Sequence, residues 1–259
     1  RVLFTTLLLA PVALGRPSDR AAFRRLRGRD LLVAVASGAA LALHFASWFE
    51  SLRWTSVAAS VTLVQSQPVF VAVGAWALLD ERVTTRTAVG IAVALVGMVV
   101  LAGGDALLGG VTQGARPAYG NGLALFGAVC YTGYVLAGRS LRQRFPVLPY
   151  VVVVYGVCAV VLLVATVARG HALVGYGGRE WLLFVAMALG PGLFGHTVVN
   201  WALAHVESSV VSVSLVGEPV GSTLLAAVLL AEVPTATTAV GGVVVLAGIA
   251  LTARSRADE

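Results

Sequence analysis

One sequence motif occurs twice in this chain at a fixed spacing. An apolar run that opens at Pro68 and closes at Glu81 returns between Pro219 and Glu232, 151 residues later at both ends. The match continues without a gap through the Thr-Ala-Val-Gly tetrapeptide that begins at Thr87. The chain is therefore expected to consist of two related halves. Among membrane proteins, such internal repeats are typical of secondary transporters.

The composition makes lipid the expected solvent of this chain. Hydrophobic residues account for 58% of the sequence and charged residues for 12%, whereas about a quarter of a soluble domain is charged. We therefore predict an all-α, polytopic integral membrane protein. All 18 basic residues are arginines, and most lie in short links between apolar runs. Such links set membrane topology and offer no extended soluble surface, so a nucleic-acid partner is not expected.

Apolar runs long enough to cross a membrane divide the chain into nine predicted spans. They cover residues 2–15, 31–52, 57–79, 87–102, 120–137, 149–168, 181–204, 208–230 and 238–253. A glycine-rich stretch without periodic pattern, 103–119, separates the halves. The predicted domains are a first repeat at 1–104, a linker at 105–118, a second repeat at 119–254 and a cytoplasmic tail at 255–259.

Arginine counts orient these spans. The link 16–30 alone holds six arginines, and placing it in the cytoplasm puts thirteen arginines on that side and five on the other. The positive-inside rule then places the carboxyl terminus in the cytoplasm. The expected membrane is a bacterial-type plasma membrane. The repeat spacing would put the partner of 120–137 before Arg1. We therefore expect a missing first helix and starting Met, ten helices in the intact protein, and two five-helix halves of inverted orientation.

The duplicated elements resemble the EamA family of the drug/metabolite transporter superfamily. The elements that carry the resemblance are Ala58-Ala59-Ser60, Pro68, Leu78-Leu79-Asp80-Glu81 and Gly90 with Gly97 in the first copy, and Pro219, Leu229-Leu230-Ala231-Glu232 and Gly241 with Gly248 in the second. The resemblance implies a ten-helix fold of two inverted five-helix repeats. It covers nearly the whole chain but does not specify a substrate. The second copy departs from the first where Val233-Pro234 replaces Arg82-Val83.

Glu218 is the sharpest candidate for a functional residue. It is a carboxylate that the spans place in the membrane interior, where a charge is costly and usually faces a cavity or is neutralised. One interpretation is a proton-coupling or substrate-amine site, and the alternative is a neutral carboxyl that bonds helices together. Its repeat partner is Gln67, which can form similar hydrogen bonds but cannot titrate.

Pro68 and Pro219 each remove a backbone hydrogen bond from a predicted span. Freed carbonyls at membrane depth are tolerated where they line a cavity. The two prolines are candidate hinges of a gating motion, or alternatively sites of static kinks.

Two histidines and an asparagine add polar groups to apolar spans. Asn200 lies one turn beyond His196 on the same helical face, which predicts a polar face that lines a substrate path. His44 occupies the near-equivalent position of the first half and is a further candidate. A satisfied interhelical hydrogen bond is the alternative for each. Glu50, near the end of its span, is a candidate for the outer vestibule.

The remaining motifs favour structural roles. Glu81 and Glu232 lie at span ends, where we expect them to cap helices or pair with loops. The paired glycines of the closing spans favour close helix packing or a homodimer contact. Cys130 and Cys158 lack metal-ligand spacing, and no metal or cofactor is expected.

A secondary transporter is the function that these features favour most. We expect it to export small organic metabolites such as amino acids by alternating access between the two repeats, with membrane lipid as its other partner. Efflux of drugs or toxic compounds by the same fold is the alternative. A channel or an intramembrane enzyme is a weaker one, because the chain carries no filter motif and no catalytic motif, and an enzyme is not expected.

Overall fold

A computed structural model describes residues 1–109, 115–230 and 235–254, and all regular structure in those ranges is helical. The helices are α1 (Val2–Gly15), α2 (Pro17–Arg25), α3 (Gly28–Ser51), α4 (Val57–Val64), α5 (Gln67–Leu79), α6 (Thr85–Gly109), α7 (Pro117–Arg142), α8 (Val147–Ala168), α9 (Gly178–Met187), a π-helical segment (Ala188–His196), α10 (Thr197–Ala202), α11 (Ser208–Leu215), α12 (Glu218–Leu230) and α13 (Ala236–Arg254).

The predicted spans all correspond to helices or helix pairs in the described residues. Seven stretches are long and apolar enough to cross a membrane, and α1 and the first part of α6 are shorter apolar helices. The all-α polytopic membrane fold predicted from the sequence is therefore confirmed. Three of the spans are not single helices: 57–79 is α4 with α5, 181–204 is interrupted by the π-helical segment, and 208–230 is α11 with α12.

Two segments differ from the sequence-based expectation. Helix α6 continues to Gly109 instead of ending near residue 102, since glycine is well tolerated in membrane helices. The arginine-rich link 16–30 contains the helix α2, which begins with Pro17 in its first turn, a position that needs no backbone N–H donor. The tail at 255–259 lies outside the described residues.

The chain divides into two compact units. One comprises Arg1–Ala46 and Gly133–Val206, and the other comprises Ser47–Thr132 and Glu207–Glu259. Each unit contains helices from both predicted repeats, so the packing units do not follow the sequence halves. The domain boundaries derived from the repeat stay a prediction.

The closing helices of the two predicted repeats, α6 and α13, pack against each other within the second unit. A Cβ atom added to Gly97 would lie 2.5 Å from the backbone nitrogen of Val245, and one added to Gly248 would lie 2.4 Å from that of Ala94. Gly90 and Gly241 meet the facing helix equally closely. The glycine faces predicted from the sequence are therefore used for packing inside the chain, while a homodimer stays a prediction.

Candidate functional site

Two spans in the second unit are interrupted at equivalent positions. Helix α4 ends at Val64 and α5 begins at Gln67, whereas α11 ends at Leu215 and α12 begins at Glu218. The ends differ by the same 151 residues that relate the sequence repeats. The interruption is therefore part of the repeated structure and not a local irregularity of one helix.

The prolines explain why both helices break where they do. Pro68 and Pro219 are the second residues of α5 and α12. In a continuous helix each would have to donate to the carbonyl four residues earlier, at Val64 and Leu215, but proline has no N–H. In the first turn of a new helix no such donor is needed. The sequence predicted kinked helices at these prolines, and at each site the structure has two helices separated by two residues.

The two breaks contact each other through glutamine side chains. The Gln65 side-chain amide donates to the Leu215 carbonyl at 3.4 Å, which is the carbonyl that Pro219 leaves without its helical donor. Gln67 in turn donates to the Gln65 side-chain oxygen at 3.2 Å. Both glutamines are buried. Sequence reasoning selected Gln67 but missed Gln65, although a second polar residue in the middle of a span was a usable signal.

Glu218 lies at the first position of α12, where the helix dipole favours a negative charge. The residue is exposed, while its repeat partner Gln67 is buried. The expected place of Glu218 in the membrane interior stays a prediction. Its role in proton coupling or amine binding stays a prediction.

Glu81 joins the end of α5 to the start of α11. Its Oε2 accepts hydrogen bonds from the Ser208 hydroxyl at 2.7 Å and from the Ser208 backbone N–H at 3.2 Å. The side chain is buried, so it satisfies a backbone donor at a helix start that would otherwise be left open. The capping role predicted for Glu81 is confirmed, and Glu232 lies outside the described residues.

Glu50 is held locally at the end of α3. Its Oε1 accepts from the indole nitrogen of Trp54 at 3.0 Å, and its Oε2 lies 3.6 Å from the Arg53 guanidinium. These contacts tie the carboxylate to the adjoining turn, and its proposed place in an outer vestibule stays a prediction.

A buried polar cluster occupies the first unit, centred on Asn200. The Asn200 amide nitrogen donates to the hydroxyls of Tyr134 and Tyr155 and, at 2.8 Å, to the His196 carbonyl. The last bond confirms that Asn200 and His196 are neighbours on one helical face. The Asn200 side-chain oxygen is buried without a hydrogen-bond partner among the described residues. Because buried acceptors are rarely left unsatisfied, this oxygen is a candidate contact for a substrate donor or a water.

The π-helical segment shapes this cluster. It contains Pro191 and ends at His196, and π-helical turns are frequent at functional sites. The Thr5 hydroxyl donates to the Ala188 carbonyl at 3.1 Å, and the Thr197 hydroxyl donates to the Gly192 carbonyl at 3.2 Å. These hydroxyls add side-chain hydrogen bonds to carbonyls of the irregular segment next to the polar cluster.

The two histidines of the sequence analysis both lie in this unit. The ring of His196 packs edge-on against Phe45 at 5.5 Å and accepts a hydrogen bond from the Arg1 guanidinium at 3.3 Å. His44 is buried on α3, directly before Phe45. Both residues thus lie in the interior of the same unit, and their path-lining role stays a prediction.

Two arginine side chains donate hydrogen bonds to carbonyls near the carboxyl end of α10. Arg142 donates to the Asn200 carbonyl at 2.8 Å and Arg139 donates to the Leu203 carbonyl at 3.0 Å. Arg142 is itself buried. Cations at a helix carboxyl terminus offset the exposed carbonyls and the helix dipole, so the pair stabilises the helix that carries Asn200. The sequence assigned these arginines to topology alone.

In the described ranges, no three His, Cys, Asp or Glu side chains come together in a group able to hold a metal ion.

Comparison with known proteins agrees with this architecture. A family model described as the EamA-like transporter family matches residues 1–103 and 118–254. A protein of Archaeoglobus fulgidus named "Uncharacterized transporter" is 21% identical over 223 residues, which cover 86% of this chain and 75% of that protein. A protein of known crystal structure has the same fold, with a TM-score of 0.76 and 22% identity over 98% of this chain and 86% of that one.

Duplicated spans that are interrupted in the membrane are typical of membrane transporters, and the family match places this chain in that class. Since the family model covers both halves, this chain belongs to the EamA-like transporter family.

Proposed function

We propose that the protein is a secondary transporter that exports small organic metabolites such as amino acids by alternating access. The observation that carries this proposal is the contact between the two helix breaks, where Gln65 donates to the carbonyl left open by Pro219. Discontinuous helices supply half-helix ends and free carbonyls at membrane depth, which is how secondary transporters build substrate and ion sites.

The chemistry at the breaks suits a substrate with both donors and acceptors. Glu218 offers a carboxylate to an amine or a proton, and the Gln65 and Gln67 amides offer both donors and acceptors. The first unit has a buried acceptor of its own in the Asn200 side-chain oxygen. We propose that Glu218 couples transport to protons and that His196, Asn200 and His44 line the substrate path.

Counterflow in proteoliposomes tests this function. Vesicles loaded with an unlabelled amino acid should take up the same labelled amino acid above equilibrium, across a panel of acidic, basic and neutral substrates. Vesicles without protein provide the baseline. Uptake that is no faster with loaded than with empty vesicles across the panel would argue against amino acids, and exchange of cationic dyes instead would favour drug efflux.

The breaks should control the rate of this exchange. Pro219→Ala and Pro68→Ala restore an N–H that can bond to the carbonyl four residues earlier, so the paired helices can become continuous. We expect each variant to slow counterflow several-fold while leaving expression unchanged. Pro11→Ala removes a proline from the interior of α1 and should leave the rate unchanged. Wild-type rates in both break variants would leave the prolines with a static packing role.

We also propose that the carboxyl terminus lies in the cytoplasm. Three contacts support the proposal that successive links lie on alternate sides of the membrane. They join Asp30 with Arg144, Trp54 with Arg116, and Glu81 with Ser208. Each joins two links that the arginine count puts on the same side.

Reporter fusions test this topology. A fusion after Gly110 should report the outer side and a fusion after Arg142 should report the cytoplasm. The same signal from both fusions would contradict the proposed topology.

A further inference from the structure

Exposed arginines are concentrated on α2 and its flanking residues. The six members of this group, which we call the basic stripe, are Arg16, Arg20, Arg24, Arg25, Arg27 and Arg29, and all are exposed. None of their side chains has a hydrogen bond, ion pair or ring contact with another described residue, whereas the Arg144 side chain pairs with Asp30 at 3.0 Å. Six guanidinium groups are therefore available to a ligand outside the chain.

The opposite side of α2 fixes its orientation. Ala22 and Leu26 are buried, and α2 packs against α1 and α8. Asp19, the single acidic residue of α2, is also buried and lies on this packed side. Arg20 and Arg24 lie one turn apart on another face of α2, and Arg27 follows the end of the helix. The helix thus presents a positive surface that its own acidic residue does not neutralise.

Two exposed leucines on either side of the basic stripe indicate where it lies relative to the membrane. Leu14 precedes the stripe at the end of α1 and is 55% exposed, and Leu32 follows it in α3 and is 68% exposed. In a membrane protein, such side chains face the hydrocarbon. Leu32 is three residues from Arg29, which corresponds to a rise of about 4.5 Å along a helix. This spacing is short enough for the basic stripe to reach the level of the lipid phosphates at the edge of the hydrocarbon.

We propose that the basic stripe is a docking surface for the headgroups of anionic phospholipids in the leaflet that borders α2. The planar guanidinium fork matches two phosphate oxygens, which favours arginine at phosphate sites. Clusters of basic residues beside a membrane span are attracted to anionic lipid surfaces. The surface is independent of the transport path and of the proposed substrate.

Lipid binding to the purified full chain tests this surface. Native mass spectrometry in a neutral detergent should show tighter binding of phosphatidylglycerol than of phosphatidylcholine. The triple variant Arg20→Gln/Arg24→Gln/Arg27→Gln should lose about fivefold in phosphatidylglycerol affinity per arginine, hence roughly 100-fold in total, with phosphatidylcholine binding unchanged. The control Arg82→Gln/Arg179→Gln/Arg254→Gln removes the same charge from other exposed positions and should keep the preference.

Three outcomes would overturn the proposal. Equal losses in the two triple variants would assign the preference to net charge alone. Competition by inorganic phosphate as effective as that by the lipid would assign the surface to a free anion. For the wild-type chain, whose folding is not in question, a phosphatidylglycerol preference that does not fall between low and high salt would exclude a headgroup contact with the arginines.

Discussion

Glu218→Gln is expected to abolish the accumulation of substrate driven by a pH gradient while sparing exchange down a substrate gradient. The amide keeps the size of the side chain and its hydrogen-bonding capacity but can neither bind nor release a proton. Glu218 is exposed beside the break at the start of α12, so other side chains of the described chain do not enclose its carboxyl. The measurement is uptake into vesicles with and without an imposed pH gradient.

Glu180→Gln is the matched control for this result. Glu180 is another exposed carboxylate in the first turn of a helix, but its helix, α9, belongs to neither interrupted pair. The control should keep wild-type behaviour in both assays. Loss of both accumulation and exchange in Glu218→Gln would indicate substrate recognition, most clearly for amine-bearing substrates. Unchanged pH dependence would exclude Glu218 as the coupling residue.

Gly248→Ala is expected to destabilise the protein strongly, although alanine is a better helix former than glycine. The added Cβ would lie 2.4 Å from the backbone nitrogen of Ala94, so α6 and α13 would have to separate. Overpacking of this kind costs about 1–3 kcal/mol, and contact with backbone atoms places the change at the upper end of that range. The thermal unfolding midpoint of the purified chain in detergent measures the effect.

Gly122→Ala provides the same chemical change in open space. No atom lies within 4 Å of the Cβ that would be added at Gly122 in α7, so the gain in helix propensity, about 1 kcal/mol, should appear as a small stabilisation. A lower unfolding midpoint in Gly248→Ala together with a higher one in Gly122→Ala would identify the α6–α13 contact as the cause of the destabilisation. An unfolding midpoint of Gly248→Ala at or above that of the wild type would contradict the close packing of the two helices.

The sequence predicted the apolar spans well because hydropathy and the repeat act over many residues. It located the sites of interruption through Pro68 and Pro219, but a missing N–H alone does not distinguish a bend from a break. The outcome depends on whether another group satisfies the carbonyl that is left open. At the Pro219 break that group is Gln65, which lies 150 positions before Leu215 in the sequence, and this pairing could be identified only from the folded chain.

Burial within a span was harder to predict. Gln67 and Glu218 occupy equivalent positions, yet one is buried and the other exposed, since each half meets different neighbours. Asn200 was predicted as a path residue from its spacing to His196, and the two are adjacent in the structure. The tyrosines that bind Asn200 come from α7 and α8, and no local sequence pattern connects them to it.

The close contact between α6 and α13 has a consequence for biosynthesis. Helix α6 is complete by Gly109, but its partner does not begin until Ala236. During synthesis, the glycine face of α6 therefore stays without its partner in the membrane until the last span is inserted. Glu81 likewise cannot form its hydrogen bond until Ser208 has been synthesised. A ribosome stalled before the final span would leave a first half whose interfaces are open to lipid, and quality-control proteases of the membrane could recognise such an intermediate.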